Sequence, residues 1–262
     1  MPTPTHASTI IRTAFAGCVV VLVVGCARTP SVPIGLCDEV RYTVHDPAES
    51  VNRGIFAFNR SIDDYALAPV ARGYRHLPGF FQAGVHNFVA NFGEPKVFIN
   101  DVLQGNGNRS VATLGRFIIN TTVGIVGLID VSGRMGIERH TSDFGQTFGV
   151  WHIANGPTVE LPLLGTGNLR DATGKVLSFM VDPLGSNSDT VQTFGTLNTI
   201  GGIVDGRAVL LPVTDRLHTQ SDYYVALRDT VASKRARLVL EGKAGAVTSA
   251  HSTCPGSELD DQ

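Results

Sequence analysis

Between Arg116 and Asp130 the chain carries no charge. Residues 116–131 read Arg-Phe-Ile-Ile-Asn-Thr-Thr-Val-Gly-Ile-Val-Gly-Leu-Ile-Asp-Val, with nine large apolar residues and two glycines, Gly124 and Gly127. A helix that crosses a bilayer needs about 20 apolar residues, because the hydrocarbon core is about 30 Å thick and each residue rises about 1.5 Å. The thirteen residues between the two charges are too few. Each glycine also weakens a helix by about 1 kcal/mol relative to alanine. Three placements stay open for this segment: a core, a re-entrant or interfacial piece, or the wall of an apolar cavity.

The N-terminus places the chain beside a membrane. Apart from the terminus itself, Arg12 is the one charge in the first 25 residues, and an apolar run follows from Ala14 to Val24. Residues 1–25 therefore read as a targeting signal and are set apart from the fold. The run ends in Val23-Val24-Gly25-Cys26, which resembles the lipobox of bacterial lipoproteins. That resemblance implies cleavage before Cys26 and acylation of the cysteine. Several acyl chains, at about 0.8 kcal/mol per buried methylene, give stable anchoring. An uncleaved anchor or a plain secretory signal is the competing reading.

Residues 26–45, with Pro30, Pro33 and Gly35, read as a tether, and 46–242 as one helical domain. Residues 243–262 are rich in Ala, Ser, Thr and Gly and read as a disordered tail. Cys18 leaves with the signal, so Cys37 and Cys254 remain, in a compartment that permits disulfides; they either pair or stay two free thiols.

Helical periodicity dominates the domain. Asp46-Pro47-Ala48-Glu49 has capping-box spacing, with Asp46 as the cap. Val51, Ile55, Phe58, Ile62 and Tyr65 then form one apolar stripe. A second stripe, Phe81, Val85, Phe88 and Phe92, follows Pro78; Glu94-Pro95 predicts a break, and Gly105-Asn106-Gly107-Asn108 a turn. The next helix runs from about Arg109 into the uncharged stretch. Asp143 to Trp151 reads as irregular or a short helix, and Leu161 to Gly165 as extended. Leu169 to Val181 predicts a short helix, closed by Asp182-Pro183-Leu184-Gly185. Asp189 caps another, interrupted by Gly201-Gly202 and ended by Pro212. A last helix spans about Asp222 to Leu240, with Lys234, Arg235 and Arg237 near its end. No strands for a β-barrel are evident.

A net charge of −2 without a basic stripe gives no case for nucleic acid. No nucleophile elbow, zinc-protease helix, zinc-binding cysteine spacing or phosphate loop is present. Arg139-His140-Thr141-Ser142-Asp143 sets Ser, His and Asp side by side, but triads are built in space and adjacency carries no weight. Arg170-Asp171 reads as a structural ion pair. No catalytic residue, metal or cofactor is expected. Charged residues make up 17% and glycine is abundant, at 29 residues, which fits a protein that spends part of its surface in lipid.

A longer series of residues carries a family resemblance. It comprises Asp46-Pro47, Asn52-Arg53, Phe56-Ala57-Phe58-Asn59, Pro69-Val70-Ala71, Tyr74-Arg75, Asn87-Phe88, Asn91, Glu94-Pro95, Asn100 and Leu103-Gln104-Gly105. It continues through Arg116-Phe117, Asn120-Thr121-Thr122, Gly124, Gly127, Asp130-Val131, Asp143 to Thr147, Gly156-Pro157, Leu161-Pro162 and Leu169-Arg170-Asp171. Over about residues 46–240 the chain resembles the MlaA (VacJ) lipoproteins of Gram-negative bacteria. It departs from the family pattern at His152, where a glycine is expected, at Thr158, and at Gly165 to Asn168.

The resemblance implies an all-α, disc- or ring-like domain with glycine-rich connections, embedded in one membrane leaflet. It further implies an outer-membrane lipoprotein on the periplasmic face, anchored through Cys26. Such a protein removes mislocalised phospholipids from the outer leaflet and passes them to a soluble periplasmic carrier, often beside a trimeric porin, with no covalent chemistry. A structural lipoprotein that scaffolds porins or envelope assembly without moving lipid is the alternative. Polar groups at membrane depth are tolerated only inside protein or along a watery cavity. Asn120, Thr121, Thr122, Gly124, Gly127 and Asp130 are therefore the candidates for lining or gating a lipid channel.

Overall fold

The computed structural model describes residues 44–181 and 189–245. The signal, Cys26, all but the last two residues of the tether, the Cys37 and Cys254 pair, the Asp182 to Gly185 break and the tail beyond 245 lie outside them.

The described residues are mostly helical. Helix α1 (Glu49–Ile62) passes through a π-helical turn (Asp63–Leu67) into α2 (Ala68–Arg75). Two long antiparallel neighbours follow, α3 (Gly79–Leu103) and α4 (Gly107–Thr122). Short helices α5 (Val131–Arg134) and α6 (Phe144–Val150) lead into what is, among the described residues, the one departure from an all-α reading. This is a hairpin of β1 (Thr158–Leu161) and β2 (Gly165–Asn168), antiparallel with Val159 opposite Gly167. Helix α7 (Leu169–Met180), the 29-residue α8 (Asp189–Leu217) and α9 (Tyr223–Ala244) complete the domain. Helix α8 packs across α2 and α3, while α9 leans on α6 and the hairpin.

Several boundaries differ from expectation for physical reasons. Asp46 does not cap α1: its cap position is Ala48, and the Asp46 carboxylate takes Asn52 Nδ2 (2.8 Å), the Tyr224 hydroxyl (2.5 Å) and Arg228 (3.3 Å) instead. Pro95 lies inside α3 rather than ending it. It forfeits one ladder bond, and the ion pair from neighbouring Glu94 to α4 holds the segment. Gly201 and Gly202 do not interrupt α8, nor does Pro212 end it. A Cβ at either glycine would lie 3.3 Å from Val89, so the pair lets α8 approach α3 closely. His152, at the family's glycine position, has φ of +62°, the left-handed region that glycine prefers.

Polarity is inverted relative to a protein packed for water. Among the described residues, the largest fully buried side chains are Arg109, Arg116, Leu211, Gln146, Asn100 and Asn120, of which only Leu211 is apolar. Among the described residues one small apolar cluster forms where α2 meets α8, Ala68, Ala71, Ala208 and Leu211 covered by Tyr74, and Phe144, Ala172, Tyr224 and Val239 are the other buried apolar residues. The α1 stripe faces outward instead, with Val51, Phe58 and Tyr65 exposed, while Phe56 turns inward onto Tyr223 and Tyr224 at ring distances of 5.4 and 5.3 Å. Helix α8 likewise exposes Leu197, Ile200, Ile203, Val209 and Val213. Among the described residues, no helix is long and apolar enough to cross a membrane.

Candidate functional site

The uncharged stretch folds as the end of α4, a tight loop over residues 123–129, and the start of α5. Arg116 sits at its base, fully buried. Its Nε donates to Glu94 Oε1 on α3 (3.1 Å), Nη2 to Asp130 Oδ1 (3.0 Å) and Nη1 to the Ile137 carbonyl. Asn120, one turn along α4, donates to the same Asp130 oxygen (3.0 Å) and accepts from the Ser132 amide (2.9 Å). Asp130 also caps α5 by accepting from Gly133 N and receives the Ser132 hydroxyl. Residues on both sides of the loop thus converge on one guanidinium and one carboxylate.

The electrostatics follow from burial. Desolvation pushes the Asp130 carboxyl up, but the bonds from Gly133, Asn120, Arg116 and Ser132 more than offset it and hold the group well below the usual carboxylate range. Glu94 is almost wholly enclosed, and burial raises it despite its bond to Arg116. Arg139 approaches Glu94 and Asp130, both at 3.9 Å. Its guanidinium is pushed down by burial and then by Arg116.

Above this base the loop is apolar and strained. Val123, Ile125, Val126 and Leu128 are all exposed. Ile125 and Val126 have φ of +54° and +55°, a region that costs β-branched residues about 1–2 kcal/mol each. The backbone holds them there: Val126 N donates to Thr121 O (3.1 Å), Gly127 N to Asn120 O (2.8 Å) and Ile129 N to Gly124 O (2.9 Å). Gly127 has φ of +90°, and a Cβ on it would lie 2.5 Å from Asn91 Cβ on α3. A Cβ on Gly124 would meet the Ile129 carbonyl at 2.3 Å.

The six sequence candidates therefore have different places. Asn120 and Asp130 are joined in the network, Gly124 and Gly127 are closing points of the loop, and Thr121 accepts from Asn91 Nδ2 (2.9 Å). Thr122 stands apart, exposed and bonded only to its own helix at Ile118 O and Ile119 O. Sequence reasoning missed Arg116, Glu94 and Arg139 as parts of the site. The signal was present in Arg116, a charge that ends an apolar run and is retained inside a helix.

The Ser and His beside Asp143 do not form a triad. His140 Nε2 (2.9 Å) and Ser142 Oγ (2.6 Å) both meet Asp101, which also receives Thr113 (2.7 Å). The cluster is buried, and the serine hydroxyl faces the carboxylate rather than the imidazole. Asp143 instead caps α6 and binds Arg235 through both Nη atoms, at 2.6 and 2.9 Å. Arg170 pairs with Asp171 at 2.9 Å, the structural pair expected.

Comparison with known proteins adds identity to this geometry. A family model described as MlaA lipoprotein matches residues 44–238. The Escherichia coli (strain K12) protein named intermembrane phospholipid transport system lipoprotein MlaA is 32% identical over 220 residues, covering 79% of this chain and 80% of that protein. A Rickettsia typhi protein described as uncharacterized is 37% identical over 195 residues, covering 73% and 77%. A solved structure described as the structural basis for maintenance of bacterial outer membrane lipid asymmetry aligns with a TM-score of 0.64 at 31% identity, over 74% of this chain and 98% of that one.

Proposed function

The chain belongs to the MlaA lipoprotein family, and from that premise we propose that it is an outer-membrane lipoprotein of intermembrane phospholipid transport that maintains outer-membrane lipid asymmetry. In this reading it takes mislocalised phospholipids from the outer leaflet and hands them to a soluble periplasmic carrier. Cleavage after residue 25 and acylation of Cys26 anchor it on the periplasmic face, residues 26–45 tether the domain, and a trimeric porin is its membrane partner.

One observation carries the reading: the molecule is polar inside and apolar outside. In water such a surface would aggregate. In a bilayer it is the stable arrangement, because lipid satisfies the apolar exterior while the buried polar groups satisfy one another. Among the described residues no helix is long and apolar enough to cross, which fits a domain lodged within one leaflet. A phospholipid must keep its tails apolar and its headgroup polar while it moves, and a protein with both surfaces supplies both.

The 123–129 loop is the proposed gate. Its tip is apolar and strained, and its base is clamped by Arg116, Asn120 and Asp130, so the tip can move while the base holds. Asn120, Thr121, Gly124, Gly127 and Asp130 then act by shaping the gate, and Thr122 by its exposed position next to it.

The test is transfer of labelled phospholipid from vesicles carrying the purified full-length protein to a soluble lipid-binding acceptor. Transfer well above protein-free vesicles is expected. Bound porin without transfer would instead favour a scaffolding lipoprotein.

A further inference from the structure

Beside the β-hairpin, α7 and α9 line a cleft of about 200 Å³, none of whose lining residues belongs to the 123–129 loop. Asp143, Thr166, Ser178, Phe179, Val231 and Arg235 are among its lining residues, and Lys175 reaches into it from α7. The charges divide unevenly. Arg235 binds both carboxylates of the cleft, Asp143 at 2.6 and 2.9 Å and Asp171 at 2.9 and 3.2 Å. Arg170 adds a second guanidinium to Asp171. Behind the hairpin, the buried Glu160 is occupied by Asn59 Nδ2 (2.7 Å) and the Thr166 hydroxyl (2.5 Å).

Lys175 is left over. Among the described residues its Nζ has one hydrogen-bond partner, the Leu164 carbonyl at 3.0 Å, although an ammonium carries three donors. Burial, and then Arg235, push its pKa down, although Asp171, Glu160 and Asp143 oppose this. Among the described residues no carboxylate comes within ion-pair distance of Lys175, although three act on it from farther off, so an anion brought to its Nζ would meet unused donors in a half-desolvated cleft. One wall of the cleft opens on apolar surface: Phe179 is exposed, with Val176 and Met180 beside it. The cleft therefore offers a positive point charge and, one turn further along α7, apolar contact at Phe179.

We propose that Lys175 and this cleft form a subsite for the phosphate of a phospholipid, with the acyl chains lying along Phe179 and Met180. Lysine suits that role as a compact charge with rotatable donors. The proposal rests on the phospholipid-transport reading for the source of the phosphate. Free phosphate shares the chemistry, and the experiment separates the two.

The chain has four lysines, Lys96, Lys175, Lys234 and Lys243. Reductive ¹³C-methylation keeps their charge and gives each an NMR signal in the full-length protein in dodecyl maltoside, assigned with single Lys→Arg variants. Titration with dihexanoylphosphatidylglycerol should move the Lys175 signal and leave Lys243 in place, and inorganic phosphate at equal concentration should move neither. Lys175→Gln should weaken binding of the short-chain lipid by about 10-fold or more, the scale of one lost charged hydrogen bond. Lys175→Arg should stay within about 3-fold. A Lys175 signal that does not respond at saturating lipid overturns the subsite, and an equal response to inorganic phosphate overturns its lipid specificity. If Lys175→Gln does not fold, the titration of the wild-type protein still decides. Wild-type transfer between vesicles with an unresponsive Lys175 would remove the subsite alone. A responsive Lys175 without transfer would remove the transport reading alone.

Discussion

Arg116 is the residue on which the site depends most. It is the joint donor to Glu94, Asp130 and the Ile137 carbonyl, and it is fully buried. Removing one partner of a buried ion pair leaves the other uncompensated, at about 3–5 kcal/mol. Arg116→Met should therefore destabilise the detergent-solubilised protein by about that amount in urea unfolding. Arg116→Lys should recover only part of it, because an ammonium cannot reproduce the planar fork. A loss under about 1 kcal/mol for Arg116→Met would show that the network is not a support. Asp130 gives a pH signature. Its folded pKa is depressed below the unfolded value of about 3.9, so its stabilisation is complete above that value and is lost as pH falls through the folded one. The stability gap between wild type and Asp130→Asn should hold steady above about pH 5 and close below about pH 4. A gap that widens on acidification would contradict the sign. Both ends of this network stood out in the sequence as the charges that bracket an apolar run. Their meeting did not, because bonds between Glu94, Arg116, Asp130 and Ile137 depend on how α3, α4 and the loop pack. Asp46 failed as a cap for the same reason: Tyr224 and Arg228, far along the chain, claim its carboxylate.

At the scale of elements, the gate loop makes the sharpest predictions. Gly127 needs a positive φ and has Asn91 against it, whereas Gly105 has φ of +73° with open space around it. Gly105→Ala should cost only the left-handed penalty of about 1–2 kcal/mol. Gly127→Ala should cost clearly more, measured as unfolding free energy of the two variants in the same detergent; equal costs would mean the loop yields freely. Substitutions at Gly124 or Gly127 would therefore disturb folding along with the proposed gating. The loop tip separates them. Asparagine tolerates the left-handed region that Ile125 and Val126 occupy under strain. Ile125→Asn with Val126→Asn should leave unfolding free energy unchanged or about 1–2 kcal/mol higher, while phospholipid transfer falls several-fold. Undiminished transfer in a folded double variant would remove the gate. Helix periodicity located α4, α7 and α9, and the starts of α1 and α3, to within a few residues, because apolar stripes and caps are local. The breaks were less legible: Pro95, Gly201-Gly202 and Pro212 all lie inside helices whose continuity is set by neighbours rather than by local preference. The hairpin was missed as a pair, since β2 is Gly-Thr-Gly-Asn and carries no strand pattern of its own.

At the scale of the molecule, periodicity gives the direction of a stripe relative to its helix but not whether that stripe faces protein or lipid. The α1 stripe could have been a core; its Val51, Phe58 and Tyr65 lie outside, while Asn52 is buried and Asn59 bonds the hairpin. Low charge, abundant glycine and the lipobox-like leader were the only signs of this inversion that the sequence carried alone. The account depends on it, because a domain of this polarity has its place in lipid. Trp151 is the sole tryptophan, so a Trp151→Phe background allows single tryptophans to report position. The most direct measurement places tryptophan at Phe80, Ile118 and Leu197, exposed to 81%, 51% and 54%, in protein reconstituted into phospholipid vesicles, and compares two quenchers. Bromine-labelled acyl chains should quench all three sites strongly and aqueous acrylamide weakly. Strong acrylamide quenching with no effect of brominated lipid would put these faces in water and contradict the account.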